Sequence, residues 1–368
     1  MWLKNISILN YKNLQQADLS FSPKLNCILG KNGVGKTNLI DAVYYLSFCK
    51  SATNVIDSQN IKHGEEFFVI QGLYQTQEGE TEEFYCGLKK RQKKIFKRNK
   101  KEYTRLSDHI GLIPLVIISP NDAILIAGGS EERRKFMDLV ISQYDKAYLE
   151  ALISYNKAMT QRNAMLKSET EPDKDIMALW DETMAHQGHI IHEKRKTFIK
   201  EFIPIFQSYY TYIAGDGERV SLTYESHLAD SDLSSLLKES YPRDRIMGFS
   251  LKGIHKDDLN MELGEYPIKR EGSQGQNKTF LTALKLAQFA FLKRMGSTPI
   301  VLLDDIFDKL DASRVKQIVA LVSGSEFGQI FITDTNRTHL DAILQDLPEE
   351  CYKLFEVMDG QVNQVLNK

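Results

Sequence analysis

A chain of 368 residues is long enough for two domains, and a hydrophobic content of 42% is ample for a core. Lysine and arginine (47) almost balance aspartate and glutamate (49), so the formal charge is only −2 and any polyanion must be met by a local patch. Cys27, Cys49, Cys86 and Cys351 are scattered with no C-x-x-C pair, which argues against a disulfide framework or a zinc site. The opening Met1-Trp2-Leu3-Lys4-Asn5 has no signal-peptide character, and no stretch approaches the ~20 apolar residues of a membrane span. The expected compartment is the cytoplasm, with no membrane partner.

In chain order, strands are predicted at Trp2–Leu9, Gln16–Phe21 and Leu25–Leu29. The last strand runs into Gly30-Lys31-Asn32-Gly33-Val34-Gly35-Lys36-Thr37, a complete G-x-x-x-x-G-K-[ST] phosphate loop. Its glycines let backbone N–H groups approach phosphate oxygens, Lys36 can reach the terminal phosphates, and the Thr37 hydroxyl can ligate Mg²⁺. Residues 36–48 carry Leu39, Ile40, Val43, Tyr44 and Leu46 and are predicted as a buried helix, its positive end aimed at the phosphates. The expected ATP-binding set is therefore residues 30–37 with Asn38.

Further strands are expected at Phe67–Thr76, Glu82–Leu88, Ile95–Lys97 and Leu115–Ile118. Among them lies a basic run, Lys89 to Lys101, with nine Lys or Arg in thirteen residues and turns expected near Gln92 and Asn99. Such density suits sequence-independent phosphate neutralisation, with Lys93, Lys94, Lys97 and Arg98 as the DNA-contact candidates. The competing reading is an edge hairpin kept soluble by its lysines. Helical spacing then fills Ser130–Lys167 and Asp175–Ile213, separated by Glu169-Thr170-Glu171-Pro172-Asp173, without sustained heptads. The expected organisation is an α/β head in two parts, 1–124 and 241–368, interrupted by a helical lobe at 125–240.

Two segments in the last part complete the chemistry. Gly272-Ser273-Gln274-Gly275-Gln276 precedes an apolar helix and resembles the signature of ABC-type ATPases, which serves the nucleotide of a second subunit. Pro299 to Leu303 reads as a central parallel strand ending in Asp304 and Asp305. Asp304 is the metal carboxylate, with Thr37, and Asp305 the candidate that polarises the attacking water. The order of loop, signature and carboxylates implies a dimer that closes on ATP.

Several segments are similar to the bacterial RecF family over nearly the whole chain. They are Leu9 to Leu14, Asn38 to Ser47, Ser119-Pro120-Asn121-Asp122, Gly128-Gly129-Ser130, Arg133 to Asp138, Gly253 to Asp258, Ser273 to Gln276, and Asp304-Asp305 with Leu310-Asp311. The resemblance implies an ABC-type, SMC-like P-loop ATPase head with a small lobe and no long coiled coil. It implies ATP-dependent homodimerisation, duplex DNA binding, slow ATP hydrolysis with Mg²⁺, and RecA loading together with RecR and RecO. Carried over by position, Lys36 and Asp305 are catalytic, Ser273 meets the partner's γ-phosphate, and Asp311 lines the dimer seam. Asn121, Ser130, Ala52 and Ile254 depart from the family pattern, which leaves the role of residues 51–53 open. Thr333-Asp334-Thr335 holds no switch histidine, and Asp305 replaces the longer glutamate of fast ABC ATPases; both point to a slow, timing ATPase. The alternatives are a transporter nucleotide-binding subunit, which would leave the basic run without a purpose, and a phage-defence ATPase, which would need an appended nuclease domain.

Overall fold

The computed structural model describes residues 1–54, 56–76, 78–215, 217–306, 324, 326–344, 348 and 351–365. The chain divides into two compact units, residues 1–121 with 289–368, and residues 122–288.

The first unit contains two sheets. One is antiparallel, with order β2-β1-β4-β5-β6-β7, built from β1 (Trp2–Tyr11), β2 (Leu14–Ser20), β4 (Phe67–Gln75), β5 (Thr81–Lys89), β6 (Ile95–Arg98) and β7 (Lys101–Glu102). Alternation in β4, where Phe68, Ile70, Gly72 and Tyr74 are the buried positions, gives this sheet one core face. The other sheet has order β15-β14-β3-β13-β12-β8. It comprises β3 (Leu25–Leu29), β8 (Leu115–Ile118), β12 (Ile300–Leu303), β13 (Ile330–Asp334), β14 (Tyr352–Met358) and β15 (Gln361–Val365). All its pairings are parallel except β14 with β15. Its inner strands are short, continuous apolar runs, as burial on both faces requires; β12 is buried at every position. Helix α1 (Lys36–Phe48) follows β3, and every residue in it but Thr37 and Asn38 is buried.

The second unit holds α2 (Ile124–Ala127), α3 (Ser130–Ser142), α4 (Lys146–Lys167), α5 (Lys174–Ala214), α6 (Leu233–Met247), α7 (Ile268–Glu271) and most of α8 (Gln274–Arg294). It also contains a three-stranded sheet, order β11-β10-β9, of β9 (Val220–Glu225), β10 (Asp258–Leu263) and β11 (Tyr266–Pro267). The helical stretch expected from Ser130 to Lys167 is broken at Gln143–Asp145. Asp145 caps α4 by accepting from the Tyr148 N–H at 2.9 Å, and a carboxylate so used ends one helix and starts the next. Asp173 caps α5 in the same way. Helices α4 and α5 run antiparallel, since Arg162 pairs with Asp181 and Tyr148 with Arg195. The second unit reaches residue 288 by packing, so the strands and signature after residue 240 group with the helices, held through β9–β10 pairing.

Candidate functional site

The parallel sheet places the site. Its order sets β13 between β3 and β12, so the phosphate loop and the carboxylate pair emerge at the carboxyl ends of two strands with a single strand between them. That is where open α/β sheets hold ligands. Gly33 (φ 82°) and Gly35 (φ 121°) take conformations that side chains disfavour. A Cβ on Gly35 would also lie 2.8 Å from the Asn13 Oδ1.

Lys36 is almost fully buried, and its ammonium donates to the carbonyls of Gly30 (2.9 Å) and Lys31 (3.2 Å), 3.7 Å from the Asp305 carboxylate. Lys31, Asn32 and Gly33 form the exposed rim of the loop. Thr37 Oγ1 donates to Asp304 Oδ2 at 2.9 Å, and Thr333 Oγ1, from the intervening β13, donates to Asp304 Oδ1 at 2.7 Å. The same Thr333 oxygen accepts from the Asp305 N–H at 2.9 Å. Burial pushes the Asp304 carboxyl above its ordinary value, against the pull of the two threonine hydroxyls. Asp305 sits at φ 45°, a left-handed conformation that costs a non-glycine residue energy, with its carboxylate partly exposed.

Thr37 and Asp304 thus form a hard-oxygen pair. Among the described residues no group of three or more His, Cys, Asp or Glu side chains could hold a metal ion. One carboxylate and one hydroxyl, completed by phosphate and water, is the donor set that suits Mg²⁺.

Asn13, in the turn between β1 and β2, was given no role by sequence reasoning. Its Nδ2 donates to the Val34 carbonyl at 3.0 Å, and its Oδ1 accepts from Asn38 at 2.7 Å. It therefore clamps the loop backbone, and the only signal was its place in the family-like segment Leu9–Leu14. Lys12 beside it pairs with the buried Asp41 at 2.5 Å, and Asp41 also accepts from Ser51 Oγ (2.7 Å) and the Ala52 N–H (2.6 Å). Ser51 and Ala52 are tied to α1 in this way, and the Thr53 hydroxyl accepts from Lys12 at 2.6 Å.

At the signature, the Ser273 N–H donates to Gln276 Oε1 at 2.8 Å and the Gln276 N–H donates to Ser273 Oγ at 3.2 Å. This reciprocal pair is a capping box at the start of α8. Gln276 also donates to Glu218 at 2.7 Å. Ser273 and Gln274 are exposed, Gly275 is half-buried, and the first turn of α8 holds no acidic residue. Asp311 lies outside the described residues. Thr333-Asp334-Thr335 carries no histidine, but His339, five residues on, bonds Asp334 at 2.9 Å.

The basic run forms β6, β7 and their turns at the edge of the antiparallel sheet. Asn99 (φ 48°) and Lys100 (φ 68°) are the two loop residues between β6 and β7, the positive-φ pair of a type I′ hairpin. Lys93 is exposed, and Lys97 lies 5.6 Å from the Tyr85 ring centroid. Lys94 is turned inward, donating to the Cys49 carbonyl (2.6 Å) and pairing with Asp57 (2.7 Å). Arg98 makes a two-point pair with Glu82, both contacts at 2.6 Å.

A phosphate loop and a carboxylate strand on this sheet, with a signature-headed helix in the same chain, define an ABC-type head of the SMC kind. The model of the RecF/RecN/SMC N terminal domain matches residues 2–363. An Smc head domain from Pyrococcus furiosus superposes with TM-score 0.60 at 16% identity, covering 99% of this chain and 96% of that one, a likeness of fold. Within that class the chain belongs to the RecF family. It is 69% identical to the DNA replication and repair protein RecF of Phocaeicola vulgatus over 99% of this chain and 98% of the relative. It is 50% identical to that of Porphyromonas gingivalis over 99% of this chain and 100% of the relative. A solved structure of the recombination mediator RecF with ATP matches with TM-score 0.89 at 28% identity, covering 99% of this chain and 98% of that one.

Proposed function

We propose that this chain is an ATP-dependent DNA-binding protein of recombinational repair and replication-gap processing. ATP closes a homodimer on DNA and slow hydrolysis releases it. In the cytoplasm it supports RecA loading with RecR and RecO, and through this the SOS response. The observation that carries the reading is the Thr37–Asp304–Thr333 bridge beside a complete phosphate loop.

The Lys36 ammonium, now satisfied by loop carbonyls, exchanges them for phosphate oxygens. The amide groups of residues 30–38 and the positive end of α1 hold the remaining phosphate charge. Thr37 and Asp304 would hold Mg²⁺, which when bound supplies charge neutralisation for the phosphates and relieves the cost of the buried carboxylate. Asp305 orients the attacking water and accepts its proton. Ser273 and the exposed N-terminus of α8 receive the γ-phosphate of the second subunit, so dimer and nucleotide are linked. Asp311 belongs to the seam.

The basic hairpin is the DNA surface, with Lys93 and Lys97 contacting phosphates and Lys94 and Arg98 shaping the strand edge through Asp57 and Glu82. Replacing Lys93 and Lys97 by Glu is expected to weaken duplex binding with ATP affinity retained. The slope of log K against log salt falls by about 0.9 per lost contact. An unchanged slope and affinity would show the run to be a solvated edge. Turnover measured with and without duplex DNA tests the ATPase: stimulation is expected, and no turnover in either condition would leave ATP as a clamp only.

A further inference from the structure

The nucleotide site does not use Gly253–Asp258 or Arg133–Asp138. In the second unit these segments meet: Asp257 pairs with Arg195 at 2.8 Å, Asp258 with Arg133 at 2.7 Å, and Arg134 donates to the Asp257 carbonyl at 2.6 Å. Together they fix the loop from Ser250 to Asp257 from below.

The loop is held at nearly every residue. Ser250 donates from its N–H and its hydroxyl to Asn163 Oδ1, both at 2.8 Å, and its hydroxyl accepts from Arg162 at 2.8 Å. The Leu251 N–H donates to the buried Asp244 at 3.0 Å. His255 is bonded on both ring nitrogens, to the Tyr155 hydroxyl and the Ser250 carbonyl, each at 2.9 Å. Gly253 sits at φ 130°, and a Cβ there would be 2.3 Å from the Tyr155 hydroxyl, so only glycine fits.

This hydrogen-bonded loop presents two lysines. Lys252 is half-buried and Lys256 exposed, and among the described residues no carboxylate pairs with either. Lys256 lies 5.4 Å from the Phe249 ring centroid. Asp257, next to Lys256 in the chain, is turned inward: its Oδ2 pairs with Arg195 and accepts from Tyr224 at 2.5 Å. The pairing of Glu225 with Asp258 brings His227, just past β9, beside Lys256. The His227 Nδ1 is buried and has no hydrogen-bond partner. Burial first, then Lys252 and Lys256, hold this ring below its ordinary pKa against the opposing pull of Asp257, which places both lysines close to the ring. A loop so immobilised, carrying unpaired cations, is the usual form of a binding loop on a rigid scaffold.

We propose that Lys252, Lys256 and His227, presented by the Ser250–Asp257 loop, form a second contact site for the phosphate backbone of duplex DNA. The proposal rests on the DNA-binding reading and adds to it a surface on the second unit. The two ammonium groups act here as point charges and the imidazole as a neutral hydrogen-bonding group, so the site positions the duplex and reads no sequence. Preset cations also spare the ordering cost that flexible lysines would incur on binding.

The test is anisotropy of a labelled duplex with ATP present, titrated at salt concentrations from about 50 to about 200 mM. The protein forms compared are the wild type, Lys252→Ala with Lys256→Ala, Lys252→Gln with Lys256→Gln, Lys252→Arg with Lys256→Arg, and Lys93→Glu with Lys97→Glu. The neutral pairs are expected to lower the log–log slope by about 1.8, which is two contacts at about 0.9 each, with melting temperature and ATP affinity kept. The Arg pair is expected to keep the slope. The Gln pair decides the matter if the Ala pair fails to fold. Wild-type slope and affinity in the folded neutral variants overturn the proposal while leaving the DNA reading intact, provided the Lys93 and Lys97 variant loses binding. If the wild type binds no duplex, both fall together.

Discussion

At the residue scale, the site is a set of short exchanges. Lys36 keeps its charge while almost fully buried because the loop itself offers two carbonyls and a nearby carboxylate. Phosphate is the stronger acceptor, so the swap supplies differential binding between empty and filled loops. Asn13 holds that loop from outside through Val34 and Asn38. Asn13→Ala is expected to weaken ATP binding several-fold without unfolding the chain, since it removes two bonds that shape the loop. Isothermal titration against ATP reads this, and wild-type affinity would show the clamp to be idle. Asp305→Asn is expected to bind ATP and dimerise normally but turn over more slowly, as an amide cannot accept the proton of the attacking water. A phosphate-release assay checks this, and undiminished turnover would remove Asp305 from the role.

Elements set how these residues meet. The strands β3 and β12 and helix α1 were legible in the sequence because each is an apolar run punctuated by glycine or aspartate. The bridging Thr333 was not, since its strand falls between β3 and β12 only through non-local pairing. The break at Gln143–Asp145 hid inside continuous helical spacing, and nothing in a run of lysines told that Lys94 faces Asp57. The signature helix gives the next prediction. Ser273→Arg is expected to leave ATP binding by the isolated subunit near wild type and to block closure, because a bulky cation occupies the space of the partner's phosphate. Filter binding at low protein concentration distinguishes this from loss of affinity, which would mean that Ser273 serves its own subunit.

A pH prediction also belongs to the elements. His109 is buried against α1, donating from Nε2 to the Leu46 carbonyl at 2.6 Å and accepting at Nδ1 from Tyr103 at 3.1 Å. Burial pushes its pKa down to about 4, and His255 in the second unit is pushed to about 4 for the same reason. Unfolded histidine titrates near 6.5, so below that pH the unfolded chain binds more protons. The stability these neutral rings contribute is complete above about pH 6.5 and is lost as pH falls toward about 4. Melting temperature is expected to decline through that window. His109→Gln should decline less steeply; an equal slope would place the titrating groups elsewhere.

For the whole molecule, the proposed function joins ATP, a second subunit and DNA in one equilibrium. Among the described residues no helix is long and apolar enough to cross a membrane. The phosphate loop and the signature are both present, yet each is satisfied internally: Lys36 by loop carbonyls, Ser273 by its own helix cap. In the proposed function both sets of bonds exchange for charged phosphate, and that exchange would tie dimer closure to nucleotide by linkage. The most direct test is sedimentation velocity of the wild type, Lys36→Ala and Ser273→Arg, each with and without ATP. The account predicts a monomer without ATP in all three, a dimer with ATP in the wild type alone, and a further shift when duplex DNA is added to that dimer. An ATP-driven dimer in Lys36→Ala or in Ser273→Arg would contradict it.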